Sequence, residues 1–264
     1  RRPPKPTRKV SSAASDVYKR QVQAWGRVLA TGCRSGRLSR IQILERTIPD
    51  SGSGLAQWWA EQGIDDGSWV STTYQELISR AGPAGERHVS TLSVSLDMKA
   101  AARQIRATGR GLRGAAAVLR QEMTTLTAAL RSADLDASDW YTPGQLAIML
   151  RTAYDPQIAP ALDRAGDLGQ ELAAAGPVAV EETWDRLRSD SAWHTVLWIS
   201  EWPRSQVFPG FLSPLLLTGG IRRAFTLLYN PIRADQAARD VRKRKTEYIS
   251  DPVSYTHLTL PTTP

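Results

Sequence analysis

His194 to Leu217 reads HTVLWISEWPRSQVFPGFLSPLLL. The alternation of Val196, Trp198 and Ser200 predicts a strand. The strand stops at Trp202-Pro203-Arg204, and a second breaker, Pro209-Gly210, follows at once. Proline lacks a backbone donor and fixes φ, so no central ladder runs through Pro203 or Pro209. Phe211, Leu212 and Leu215–Leu217 then form a short, strongly apolar segment. Ser213 is placed to cap a helix with Pro214 at its first position. Strand, rigid turn and core helix start are expected here as a packing hinge. Its residues are expected to serve folding and not catalysis.

Beyond it, Gly219-Gly220 turns the chain. IRRAFTLLYNPI (221–232) reads as a second strand ending at Pro231, and DQAARDVRKRKTE (235–247) as a charged helix. Before it lies the cleanest strand pattern, Arg87 to Met98, with strict alternation from Leu92 to Leu96. Lys99 to Ala133 then places apolar residues at 101, 105, 112, 115, 119, 123, 126 and 130, one face of a long amphipathic helix. Gly109-Arg110-Gly111-Leu112-Arg113-Gly114 interrupts it and is formally G-x-G-x-x-G. The dinucleotide fingerprint needs those glycines directly after a strand and at a helix opening. Here the helical register runs on both sides, so a kink, a break between two helices or a close packing point is expected.

Thr142-Pro143-Gly144-Gln145 opens another helix, with Thr142 as N-cap and Pro143 at the first position. Residues 160–190 read as a surface excursion whose carboxylates, Glu181, Glu182, Asp185 and Asp190, alternate with Arg186 and Arg188. Nearer the start, a helix is expected over 23–30, a strand over 37–48, and helices over 55–62 and about 72–80, the last capped by Ser71 or Thr72. The order implies an α+β fold: a sheet backed by helices in a split βαβ, ferredoxin-like arrangement with one long helix.

The net charge of +8 over 264 residues suggests nucleic acid until it is located. Residues 1–21 hold seven Lys/Arg and one Asp, whereas 22–252 hold 27 basic and 25 acidic residues. The basicity therefore belongs to the N-terminal end. SSAASDVYKRQ (11–21) and VSYTHLTLPTTP (253–264) resemble adapter-derived strings found at the ends of unrelated metagenomic predictions. Residues 1–21 and 253–264 are expected to be disordered, artefactual tails around one domain at 22–252. The natural sequence is then expected to continue before Val22 and after Asp251. The longest apolar runs are about five residues, short of the ~20 that span a bilayer. The first residues carry no apolar signal region. The single cysteine, Cys33, excludes an internal disulfide, points to a reducing compartment and reads as a small packed residue.

No constellation reads as catalytic, and no cofactor, metal or small-molecule substrate is expected. Asp65-Asp66 lacks the further ligand spacing of a calcium loop and reads as a turn. His88 and His194 are the histidines of 22–252; neither has a second ligand or nucleophile at a telling distance, and both read as structural. Arg242-Lys243-Arg244-Lys245 is an exposed helix end, or a contact for acidic lipid or nucleic acid.

Residues 194–247 resemble the non-ATPase N-terminal region of the TraC/TrbE-type ATPases of conjugative type IV secretion systems. Trp202-Pro203-Arg204, Pro209-Gly210-Phe211-Leu212, Leu215–Leu217, Pro231 and Asp235–Lys245 carry that resemblance. Residues 22–252 look closer still to an actinobacterial conjugation-locus family, through Arg87-His88-Val89, Ala153-Tyr154-Asp155-Pro156 and Glu201-Trp202-Pro203-Arg204. In that family a short membrane anchor precedes the domain and the P-loop ATPase is a separate polypeptide. The chain has no Gly-Lys pair, and so no G-x-x-x-x-G-K-[ST] phosphate cradle.

The resemblance implies a non-catalytic scaffold at the cytoplasmic face of the cell membrane. Its partners would be a secretion ATPase and inner-membrane subunits. A DNA-contacting module of the same machine is the alternative, using Arg242–Lys245 with Arg103, Arg106, Arg110 and Arg113. An enzyme is the third reading. It would need His88 or His194 as a histidine base.

Overall fold

The computed structural model describes residues 9–81, 85–166, 169–203, 205, 207–208, 210–232 and 234–250. In chain order the elements are α1 (Lys9–Arg34), β1 (Leu38–Pro49), α2 (Ser53–Gln62), α3 (Trp69–Ala81), β2 (Glu86–Leu96), α4 (Ala102–Ala107), α5 (Gly111–Arg131), α6 (Pro143–Tyr154), α7 (Ala159–Ala165), β3 (Val180–Glu182), β4 (Leu187–Ser189), β5 (Ala192–His194), α8 (Ser213–Leu217), β6 (Ala224–Tyr229) and α9 (Ala234–Ser250). The main sheet has the order β2-β1-β6, and a second sheet the order β3-β4-β5.

The fold is α+β, as expected. Asp97 N donates to Arg37 O (2.7 Å) and Asp50 N to Gly85 O (2.9 Å), so β1 and β2 are antiparallel. Thr47 N donates to Arg223 O (2.9 Å), while Tyr229 packs beside Leu38 and Ile41, so β6 is antiparallel to β1 as well. β2 and β6 are therefore parallel to each other with β1 between them, and the connection between them carries helices α4–α8 together with the second sheet. That is the split βαβ arrangement, here with three strands.

The chain divides into two compact units, each with its own buried residues, and the division crosses all three main strands. The first unit comprises Arg1–Ile43, Leu92–Ala137 and Leu227–Pro264. In it α1 and α4 pack against α5. Leu38, Ile41 and Leu126 form one buried cluster with Leu29, Leu92, Val94 and Tyr229 around it; Ala101, Ile105, Ala115 and Val118 form another with Leu96. Each fully buried aliphatic side chain stabilises by about 1.5–3 kcal/mol. Glu122 is buried on the same stripe of α5, and Arg37 donates to it from Nε (2.7 Å).

The long helix of 99–133 is broken in two at Gly109 to Gly111, with φ 118°, 59° and 52° over three residues. Gly114 lies against the end of α4: a Cβ there would sit 2.3 Å from Ile105 O. The break and the close approach use the two glycine properties that the sequence offered.

The second unit comprises Leu44–Thr91 and Ser138–Thr226. Its buried residues include Arg46, Thr47, Ile48, Ser71, Ile78, Ala147, Thr152, Asp155, Ala159 and Ser189. α6 opens as expected. Thr142 Oγ1 accepts from Gln145 N (3.2 Å), and Thr142 N donates to Gln145 Oε1 (3.0 Å), a complete capping box.

Several expectations need correcting. Residues 9–21, expected as tail, belong to α1; no proline or glycine stands between Lys9 and Gly26, and Lys, Ala, Arg and Gln favour a helix. The other expected tail residues, 1–8 and 253–264, lie outside the described residues. α3 starts at Trp69, with Ser68 and not Ser71 or Thr72 at its cap: Ser68 Oγ accepts from Ser71 N (3.2 Å). The strand expected over 194–200 is not formed. β5 ends at His194, and 195–203 take no regular structure. α8 has only five residues and buries none, so Phe211–Leu217 supply no core helix.

Candidate functional site

Within the second unit, β3, β4 and β5 form an antiparallel meander. Glu181 pairs with Arg188, and Arg188 with Trp193. This cross-strand row carries an ion pair, Arg188 Nη1 to Glu181 Oε2 at 3.7 Å. The Arg186 and Arg188 guanidinium carbons lie 5.5 and 5.7 Å from the Trp193 ring centroid. Both arginines thus have local partners, so the expected solvated mixture of charges in this excursion is organised as a small sheet.

The meander is fastened to the C-terminal end of α6. Asp190 accepts from Val178 N and Ala179 N (2.9 Å each) and from Arg151 Nη1 (2.7 Å). The backbone donors from Ala179 and Val178, with Arg151, hold the Asp190 carboxyl below its ordinary range. Ser191 Oγ donates to Asp155 Oδ1 (2.6 Å), and His194 Nε2 lies 3.0 Å from Tyr154 O. An N–H at Nε2 donates in that contact. His194 therefore anchors a strand end, as its structural reading implied.

Past His194 the apolar run leaves the sheet. Val196, Leu197 and Trp198 are 92, 86 and 85% exposed, and Trp184, in the β3–β4 turn, is 96% exposed. Of the nine tryptophans six are exposed and none is buried. The tryptophans therefore anchor no core. Exposed apolar surface of this extent marks contact sites.

Trp202 and Pro203 lie on the surface, Phe211 and Leu212 are half-buried, and Arg204 and Pro209 lie outside the described residues. Gly210 has φ 83°, and its carbonyl accepts from Ser213 N (2.7 Å) at the start of α8. Arg223 closes the other end, donating to the carbonyls of Leu215 and Thr218. The turn and short helix of 210–217 present Leu215 and Leu217, and Phe208 before them is exposed.

The basic residues named as candidate nucleic-acid or lipid contacts lie in the first unit. Arg103, Arg106, Arg110 and Arg113 are exposed around the α4–α5 break, and Arg242, Lys243, Arg244 and Lys245 are exposed on α9. Cys33 is half-buried, and burial pushes its thiol upward, away from nucleophilic use.

Near the other histidine, a grouping that sequence spacing could not show lies on the main sheet. Ser90 Oγ donates to Glu45 Oε2, and His88 Nδ1 lies 3.5 Å from both Glu45 Oε1 and Thr47 Oγ1. The carboxylate stands between hydroxyl and imidazole, so the serine proton is directed to Glu45 and not to a histidine base. A nucleophile–base–orienter chain has the opposite order. Antiparallel pairing of β1 and β2 assembles this trio, and alternate positions on each strand were its only trace in the sequence.

Two further features, one buried and one half-buried, also escaped the sequence reading. Arg46, 6% exposed, donates to Met149 O (3.0 Å) and Thr152 Oγ1 (3.3 Å), while its Nε has no partner; burial lowers its pKa. Arg87 pairs with Asp163 at 2.6 Å. Asp66 Oδ1 accepts from Ser68 N (3.0 Å), so Asp65-Asp66 forms the expected turn. Among the described residues no group of three or more His, Cys, Asp or Glu could hold a metal ion, and no helix is long and apolar enough to cross a membrane. No family model, curated protein or solved structure matches the chain.

Proposed function

We propose that the chain is a non-catalytic scaffold of a conjugative type IV secretion machine. It docks a secretion ATPase, together with inner-membrane subunits, at the cytoplasmic face of the membrane. One observation carries the docking role: within 202–217, Trp202, Val207, Phe208, Leu215 and Leu217 are exposed. Trp202, Phe208 and Leu217 are 46, 69 and 64% exposed. Exposed aromatic side chains supply large contact area at low entropic cost. The resemblance of 194–247 and 22–252 to conjugation proteins supplies the identity of the partner.

A purified P-loop ATPase from a conjugation locus tests this reading by titration against the chain. Saturable binding is expected, weakened about tenfold or more by Trp202→Ala with Phe208→Ala, since anchor residues carry most of an interface's energy. Absence of binding, or binding indifferent to both substitutions, overturns it.

The exposed arginines around the α4–α5 break, with Arg242–Lys245, favour a second reading, a DNA-contacting module of the same machine. Phosphate contacts would make affinity fall steeply with salt. A chain that fails to shift DNA at low salt removes it.

A further inference from the structure

We propose that residues 194–201 pair, strand to strand, with the same residues of a second copy of this chain. β5 is an edge strand with β4 on one side. The chain continues from it into Thr195-Val196-Leu197-Trp198-Ile199-Ser200, uncharged and rich in β-formers, yet outside any ladder. An edge running into such a segment is a template for another strand.

The sequence of the segment says which strand fits. In an antiparallel pair centred between Leu197 and Trp198, His194 faces Glu201, Thr195 faces Ser200, Val196 faces Ile199, and Leu197 faces Trp198. Every apolar residue meets an apolar one, hydroxyl meets hydroxyl, and a basic side chain meets an acid. Two-fold symmetry repeats each match. A shift by one residue opposes Glu201 to Trp193 or Thr195; a shift by two opposes it to Ala192 or Val196. The matched register is thus set against its neighbours by charge and by apolar pairing. His194 keeps its Nε2 contact to Tyr154 O and has Nδ1 left to face Glu201. Pro203 ends the ladder two residues beyond. Closure by a two-fold axis yields a dimer and not a fibre. The pairing uses 194–201, apart from the 202–217 surface, and does not depend on the proposed secretion role.

Sedimentation of the full chain over a concentration series tests the pairing. A monomer–dimer equilibrium is expected. Trp198→Pro removes a ladder donor in a segment the folded chain leaves irregular, so it should preserve the circular dichroism spectrum and weaken dimerisation about tenfold or more. Glu201→Lys removes the acid that faces His194 and should weaken it several-fold; adding His194→Glu again opposes an acid to a base and should restore it. A chain that stays monomeric at every concentration overturns the proposal. So does a Trp198→Pro variant that dimerises as tightly as the parent, a charge defect that His194→Glu fails to repair, or assembly beyond the dimer.

Discussion

The two units bury different chemistry. The first encloses Val28, Leu38, Ile41, Ile105, Val118 and Leu126, with Glu122 as its buried charge among the described residues. The second encloses Arg46, Thr47, Ser71, Thr152, Asp155 and Ser189 beside Ile48, Ile78 and small alanines. Its large apolar residues are outside instead: all six exposed tryptophans belong to it. Burying polar groups yields little net stability even when each is hydrogen-bonded. The first unit is thus built around a core, and the second around a hydrogen-bonded frame that displays apolar surface. A displayed surface of this kind stabilises a complex, not a monomer.

Core truncation in the first unit should have the largest effect. Leu126 is 2% exposed between Leu38 and Ile41. Leu126→Ala should lower unfolding free energy by about 3 kcal/mol in urea titration, as large-to-small core substitutions do. A loss below about 1 kcal/mol would erase the contrast between the units.

The joint between α4 and α5 comes next. Gly114→Ala sets a Cβ against Ile105 O, which is backbone and cannot rotate away. The loss should be about 2 kcal/mol by the same titration. Gly26→Ala is its control, since a Cβ there meets nothing within 4 Å. An equal cost at both positions would show that the helix joint is not closely packed.

What was legible in the sequence, in both units, follows from particular residues. Strict alternation marked β2, and Thr142, Pro143 and Gln145 marked α6, because strand period and capping are local physics. The stripe of α5 was read only in part. Leu112 was assigned to it and is 85% exposed, whereas Glu122 is buried in it. Arg37, 85 positions away in sequence, neutralises Glu122, and no periodicity in α5 reports such a partner. The same limit explains 194–200. Its alternation is real, but a strand exists only where another strand pairs with it, and the folded chain brings none. The Ser90–Glu45–His88 grouping and the Arg46 frame also depend on pairing between distant segments.

In the second unit the hydrogen-bonded frame should respond to acid. Asp190 has its pKa depressed by Ala179 N, Val178 N and Arg151. A depressed carboxyl contributes stability above its unfolded pKa, about 3.9, and that contribution is lost as pH falls through the lower folded value. Thermal unfolding followed below about pH 4 should show this loss. Asp190→Asn, which tolerates the φ of 50° found there, should flatten the acid limb while lowering stability at neutral pH. An unchanged acid limb would mean that the frame does not hold through this carboxylate.

The smallest effect sharpens the comparison most. Leu197→Ala removes the same atoms as Leu126→Ala, but Leu197 is 86% exposed. The transfer term is absent when the side chain already meets water, and there is no cavity to leave. Unfolding free energy, measured on dilute chain so that association contributes nothing, should change by less than about 0.5 kcal/mol. The same variant should weaken self-association, because Leu197 meets Trp198 of the second copy in the matched register. Stability and association would then separate at one residue. A cost comparable to that of Leu126→Ala would place Leu197 inside a packed environment. The apolar run would then be core, and neither a displayed surface nor a strand available to a second copy would remain.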